Sequence, residues 1–237
     1  MIRLVVIVLL NFGFPFNQFY QFWEQIAKQS PNIHFIFTTS HEQVNLEECE
    51  QVFLPSGKVV YWKPPYRLIS LVQENYEEAL IIKTWNALEY AIEKYQPDFI
   101  LRTNACSIWN WNRYLHELET LPRSNVYAGV INRHLWSPFV SGAGITMTPD
   151  VAKQLIPTTP TEYKKHCQVY VDDVYIGIIL LQKHIACMPF GTRLDFIRSE
   201  PSFYNQIKNY FHVRFHTDNR SIDIEEYRKI LYFSLQE

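Results

Sequence analysis

The sequence predicts an α/β protein, a three-layer α/β/α sandwich around a mostly parallel mixed sheet, and three observations carry that prediction. A continuous apolar, β-branched run opens the chain over residues 2–10, which is how a strand buried on both faces reads. Segments of strand and helix character then alternate through the first half, and mixed strands with shorter helices fill the second. The most periodic segment places Ile81, Trp85, Leu88, Ile92 and Tyr95 at spacings of four, three, four and three, which is one apolar face of a helix.

In chain order, residues 17–28 carry apolar groups at helical spacing and stop before Pro31. Residues 33–38 and 51–54 read as the next strands, and 58–62 as a shorter extended piece ahead of Pro64 and Pro65. The long helix is expected over 71–95, where Pro97 stops it. A short strand over 98–102 runs into the polar break Thr103-Asn104-Ala105-Cys106-Ser107, and a helix follows over 111–118. Strands are expected at 126–131 and 140–148, the second interrupted by Ser141-Gly142-Ala143-Gly144, where missing side chains allow a close approach. Pro149-Asp150 opens a helix to 155, and Asp172-Asp173 opens another to 181. Strands near 186–188 and 194–197, a polar His-rich stretch over 212–216 and a helix over 224–235 complete the chain.

Composition narrows the function. The 237 residues are 47% hydrophobic, enough for a large core, and 22 Lys+Arg against 24 Asp+Glu leave a net charge of −2. Long polyanions need a clustered basic surplus, so nucleic acid is excluded as a partner and any phosphate bound should be small. No repeat, low-complexity tract or Pro/Gly/Ser-rich linker divides residues 1–237, which are expected to form a single domain. The apolar opening is too short for a membrane span, and no small-residue cleavage site follows Phe12, Phe14 and Phe16. Cys49, Cys106, Cys167 and Cys187 form no Cys-x-x-Cys pair, which fits a reducing setting without a zinc site.

Four segments, in order, carry a resemblance. They are Glu74-Asn75-Tyr76-Glu77-Glu78-Ala79-Leu80-Ile81-Ile82-Lys83-Thr84, then Phe99-Ile100-Leu101-Arg102-Thr103-Asn104-Ala105-Cys106, then Val140-Ser141-Gly142-Ala143-Gly144 with Met147-Thr148, and last Val171-Asp172-Asp173-Val174-Tyr175-Ile176-Gly177. Gly191-Thr192-Arg193-Leu194-Asp195 extends the last match. Together they resemble the inverting β-1,3-glycosyltransferases of the GT-A fold, the galactosyl-, N-acetylglucosaminyl- and Fringe-type enzymes, over roughly residues 70–198. The resemblance implies a GT-A-like sandwich and a nucleotide-sugar donor, a UDP-sugar first. It also implies a glycan or glycoprotein acceptor and transfer by one in-line displacement.

An acceptor hydroxyl has a pKa far above 7, so a carboxylate must take its proton during attack. Asp173 stands in the family's base position, and Asp172 would orient the loop or bind acceptor hydroxyls; the plain structural alternative is that one of them caps the helix beginning there. Asn104-Ala105-Cys106 replaces the carboxylate triplet that holds a divalent metal in the family. An amide, a methyl and a thiol are poor substitutes for carboxylate oxygens, so no obligatory metal is expected, with Mn²⁺ or Mg²⁺ as the alternative. Cationic groups would then meet the departing diphosphate, with Arg102, Arg193, Arg214 and His216 as candidates. Asn11, Lys83, Thr103, Asn104 and Ser107 complete the expected donor set. Trp109 and Trp111, with Ser141, Gly142 and Gly144, form the expected acceptor set, although aromatic residues also serve as core packing.

A non-catalytic carbohydrate- or nucleotide-sugar-binding relative is the competing class. A glycoside hydrolase is disfavoured, because adjacent Asp residues do not flank a bond from two sides. Without an anchor, a cytoplasmic enzyme in a bacterial or viral setting is expected.

Overall fold

The computed structural model describes residues 2–10, 16–42, 44–72, 76–134, 137–157, 172–196, 203, 206–207 and 209–234. The elements are β1 (Leu4–Leu9), α1 (Phe16–Gln29), β2 (Ile33–Ser40), β3 (Glu50–Phe53), β4 (Val59–Lys63), β5 (Arg67–Ser70), α2 (Tyr76–Tyr95), β6 (Phe99–Asn104), β7 (Ser107–Trp109), α3 (Trp111–Leu118), β8 (Tyr127–His134), β9 (Ser137–Met147), α4 (Pro149–Leu155), α5 (Asp172–Gln182), β10 (Met188–Pro189), β11 (Arg193–Phe196), β12 (His212–Phe215) and α6 (Arg220–Ser234). A nine-stranded sheet has the order β10-β8-β9-β6-β1-β2-β5-β4-β3, and a three-stranded sheet the order β11-β12-β7. At the centre of the large sheet β6, β1, β2 and β5 run parallel, while β9 with β8, and β4 with β3, flank them antiparallel.

The layers follow from β1. Its side chains alternate, so Leu4, Val6 and Val8 enter one core with Phe19 and Trp23 of α1, Tyr114 of α3 and Tyr227 of α6. Val5, Ile7 and Leu9 enter the other with Trp85 and Leu88 of α2, Val151 of α4 and Ile176 of α5. This is the predicted α/β/α sandwich around a mixed sheet with a parallel centre. Among the described residues no helix is long and apolar enough to cross a membrane.

Local differences from the sequence reading concern short segments. The helix expected from residue 71 begins at Tyr76, and the unforeseen β5 precedes it, a four-residue strand held between β2 and β4. The polar break after residue 102 shrinks to a two-residue turn at Ala105-Cys106, because β6 continues to Asn104 and β7 begins at Ser107. The His-rich stretch is a strand, β12, which β7 and β11 hold from either side. Both strands are short, four residues in β12 and three in β7, and each is extended because its neighbours hold its backbone.

Candidate active site

Parallel strands deliver their C-terminal ends to one edge, where Leu9 of β1 lies level with Thr38 of β2 and Asn104 of β6. In open α/β sheets this edge is where ligands bind. Lys83, fully buried in α2, donates to the Leu10 carbonyl at 3.1 Å and so ties the end of β1 to the helix layer. Asn11 lies outside the described residues.

Arg102 carries a charge into the interior of β6. Its side chain is buried, donating to Asn104 Oδ1 at 3.1 Å and, at closer range, to the Gly142 carbonyl and the Asp172 carboxylate. Asp172 is buried too; burial raises its pKa above the ordinary carboxylate value, with the Arg102 charge opposing that shift. One buried guanidinium thus fastens β6, β9 and the start of α5 together. Gly142 is required for this, since a Cβ there would lie 2.6 Å from Arg102 Nη1.

Asp173 is held differently. Its Oδ2 accepts from the Gly142 N–H and its Oδ1 from the Val174 N–H, both at 2.8 Å, and the residue stays partly exposed. A carboxylate has about four lone-pair sites, so two backbone bonds fix the group and leave capacity to accept another proton donor.

The small sheet faces this edge with one side. Cross-strand neighbours share a face, and the register puts Arg193 beside His212 and His212 beside Trp109, then Asp195 beside Arg214 and Arg214 beside Ser107. The alternate residues Ile108, Phe196, Val213 and Phe215 belong to the core. On the polar side His212 stacks on Trp109 with ring centres 3.9 Å apart, and its Nε2 meets Ser107 Oγ at 3.0 Å. Burial, then the charges of Arg193 and Arg214, push the His212 pKa well below the ordinary value, which keeps the imidazole neutral. Arg193 donates to Ser141 Oγ at 2.7 Å and pairs with Asp195. Arg214 has a buried Nε without a hydrogen-bond partner and no ion pair among the described residues.

This sheet docks on the glycine segment of β9. Thr103 Oγ1 donates to the Ala143 carbonyl at 2.7 Å and accepts from Trp109 Nε1 at 3.1 Å, while Ser107 Oγ reaches the same carbonyl at 3.3 Å. Gly144 permits the contact, because a Cβ there would lie 2.6 Å from Trp109 Cη2. A small pocket beside it is lined by Gly129 of β8, Gly144, Gly191, Thr192, Trp109 and Tyr114.

The structure therefore brings Asp172, Asp173, Arg102, Asn104, Ser141, Gly142 and Arg193 together. Lys83, Thr103, Ser107 and Trp109 stand behind them as buried supports. Trp111 packs half-buried against Trp23, Phe35 and Trp109. His216 is exposed just past β12, its pKa lowered by what burial it has and by Arg214 and Arg220. Two contributors lie outside the expected set. Tyr227 of α6 donates to the Ser107 carbonyl at 2.9 Å, and His212 packs into the site's wall. The alternation His-Val-Arg-Phe-His over 212–216 was the available signal for His212.

The turn after β6 is a poor seat for a hard cation. Asn104 Oδ1 already accepts from Arg102, the Ala105 carbonyl accepts from Trp23 Nε1 at 2.8 Å, and the buried Cys106 thiol has its pKa raised by burial. Among the described residues no three His, Cys, Asp or Glu side chains gather as a metal site would need.

No known protein family matches the sequence, and no curated protein does. Among solved structures the chain is similar to a glycosyltransferase involved in the glycosylation of the major capsid of PBCV-1, with a TM-score of 0.55 at 9% identity, over 94% of this chain and 98% of that chain. At that identity the likeness is one of fold: this is a glycosyltransferase-like α/β architecture.

Proposed function

We propose that this protein is an inverting glycosyltransferase, moving a sugar from a nucleotide-sugar donor, a UDP-sugar first, to a glycan or glycoprotein acceptor. The observation that carries the reading is Asp173. It is a partly exposed carboxylate, oriented by two backbone N–H groups at the ligand-binding edge of a glycosyltransferase-like sheet, with a cationic strand face on the same edge. Asp173 takes the proton of the acceptor hydroxyl as that oxygen attacks the anomeric carbon. The bond from that carbon to the phosphate oxygen breaks, and its electron pair leaves with the diphosphate. Attack from the face opposite the leaving group inverts the centre. Arg102 and Asp172 act as positioning residues, because they hold Gly142, whose N–H aims the base. The neighbour's capsid role makes a glycoprotein acceptor the first class to try.

The test is Asp173→Asn, assayed for transfer with a panel of nucleotide sugars and for donor binding by calorimetry. Transfer is expected to fall about 10²- to 10⁴-fold with donor affinity retained. Unchanged turnover would remove Asp173 as the base.

A further inference from the structure

We infer that Arg214, flanked by Arg193, is the group that receives the departing diphosphate, a guanidinium standing where a divalent cation would otherwise be needed. The inference rests on the glycosyl-transfer reading for the identity of the anion, and on the polar face of the small sheet for the site itself.

Charge on that face does not balance. Arg193 is matched by Asp195, Arg102 by Asp172, and His212 is held neutral. Arg220, the next arginine along the chain, is bridged to Asp223. Arg214 forms no ion pair among the described residues, because its cross-strand neighbour Asp195 is engaged by Arg193, and its Nε is already withdrawn from water. A guanidinium whose one edge is desolvated without a partner is prepared for an anion, because a bidentate contact to phosphate oxygens uses its planar fork.

Its position is equally specific. Arg214 sits opposite Ser107 in the β7–β12 register, and the Phe215 N–H donates to the Cys106 carbonyl at 2.9 Å. It therefore borders the Asn104-Ala105-Cys106-Ser107 turn at the exit of β6, on the edge that also carries Asp173. Its charge reaches Cys106, His212 and His216. The field that opposes a proton on those histidines opposes a divalent cation there as well, and favours an anion. A base and an unmatched cation on one strand edge are what a displacement needs: one end accepts a proton while the other stabilises the leaving charge.

The test is calorimetry on the full chain with inorganic pyrophosphate and with UDP as probes, each in EDTA and in Mn²⁺. It compares the wild type with Arg214→Gln and Arg214→Lys, and thermal melting checks that both variants fold. Pyrophosphate is expected to bind the wild type in EDTA, with affinity lower by about ten- to a hundredfold in Arg214→Gln and partly restored in Arg214→Lys. Equal affinity in Arg214→Gln, or wild-type binding that requires Mn²⁺, overturns the assignment. Pyrophosphate carries neither base nor sugar. Arg214-dependent pyrophosphate binding without response to any nucleotide sugar would keep the anion site and sink the transferase reading, and metal-free UDP binding indifferent to Arg214 would do the reverse.

Discussion

In the nine-stranded sheet the central strands are apolar on both faces, with β1 feeding Val6 to one core and Ile7 to the other. In the three-stranded sheet Val213 and Phe215 face one core, while His212 and Arg214, alternating with them, lie on the opposite face, His212 buried on Trp109 and Ser107. The large sheet draws its stability from apolar burial, which is non-directional and forgiving of small changes. The small sheet joins residues 107–109 to 212–215, about a hundred positions apart, and fixes His212 on Ser107 and Arg193 on Ser141 and Asp195 by specific hydrogen bonds. The contrast sets the apolar interior of the first sheet, which carries the fold, against the polar positions at the site, Arg102 and Gly142 on the first sheet and Arg193 and Arg214 on the second, and it can be broken by substitutions that move one property without the other.

The largest effect is expected where a buried charge ties the large sheet to α5. Arg102→Met removes the guanidinium between β6, β9 and α5 and leaves Asp172 buried without its partner. Breaking one side of a buried pair costs about 3–5 kcal/mol, read from urea unfolding, and transfer is expected to disappear as Gly142 loses its hold on Asp173. Gly144→Ala should cost about 1–3 kcal/mol, because the methyl meets the Trp109 ring. It should also lower kcat, since Trp109 must move with its neighbour His212. Ile7→Val, deep in the large sheet, should cost about 0.5–1.5 kcal/mol and leave kcat/KM of the folded protein unchanged. A loss of activity there would mean that the large sheet is not a passive scaffold.

The same contrast explains what could be read from the sequence. The buried strands and the periodic face of α2 are written in apolar residues, so their places were legible within a few positions. Asp172-Asp173 and the glycines of β9 were legible as motifs, and the structure seats them in contact. The small sheet was not, because Ser107-Ile108-Trp109 and His212-Val213-Arg214-Phe215 are each too short to declare a strand, and only their pairing makes them one. Roles within the arginine set were hidden for a related reason. Arg102 and Arg214 both follow apolar residues in strand-like segments, and their difference lies in Asp172, which pairs with Arg102 from seventy residues away, while Arg214 has no ion pair among the described residues.

The smallest effect at neutral pH is the most specific to the polar face. His212 is buried against Trp109 and Ser107 and faces the charges of Arg193 and Arg214, so its folded-state pKa lies well below the unfolded value of about 6.5. Above that value neither state binds the proton, and the contribution to stability is fully present. As the pH falls below it the unfolded chain takes up a proton that the folded chain refuses, and stability declines by up to about 1.4 kcal/mol per pH unit until the folded value is reached. His212→Gln keeps a hydrogen-bonding group near Ser107 and removes the titration. Melting temperatures measured from pH 7.5 down to 5 should therefore fall more steeply in the wild type than in the variant, with the two slopes merging above pH 7. Parallel curves would mean that the imidazole accepts its proton in place, so that neither burial nor the two arginines exclude positive charge from that face, which counts against an anion site at Arg214 as well.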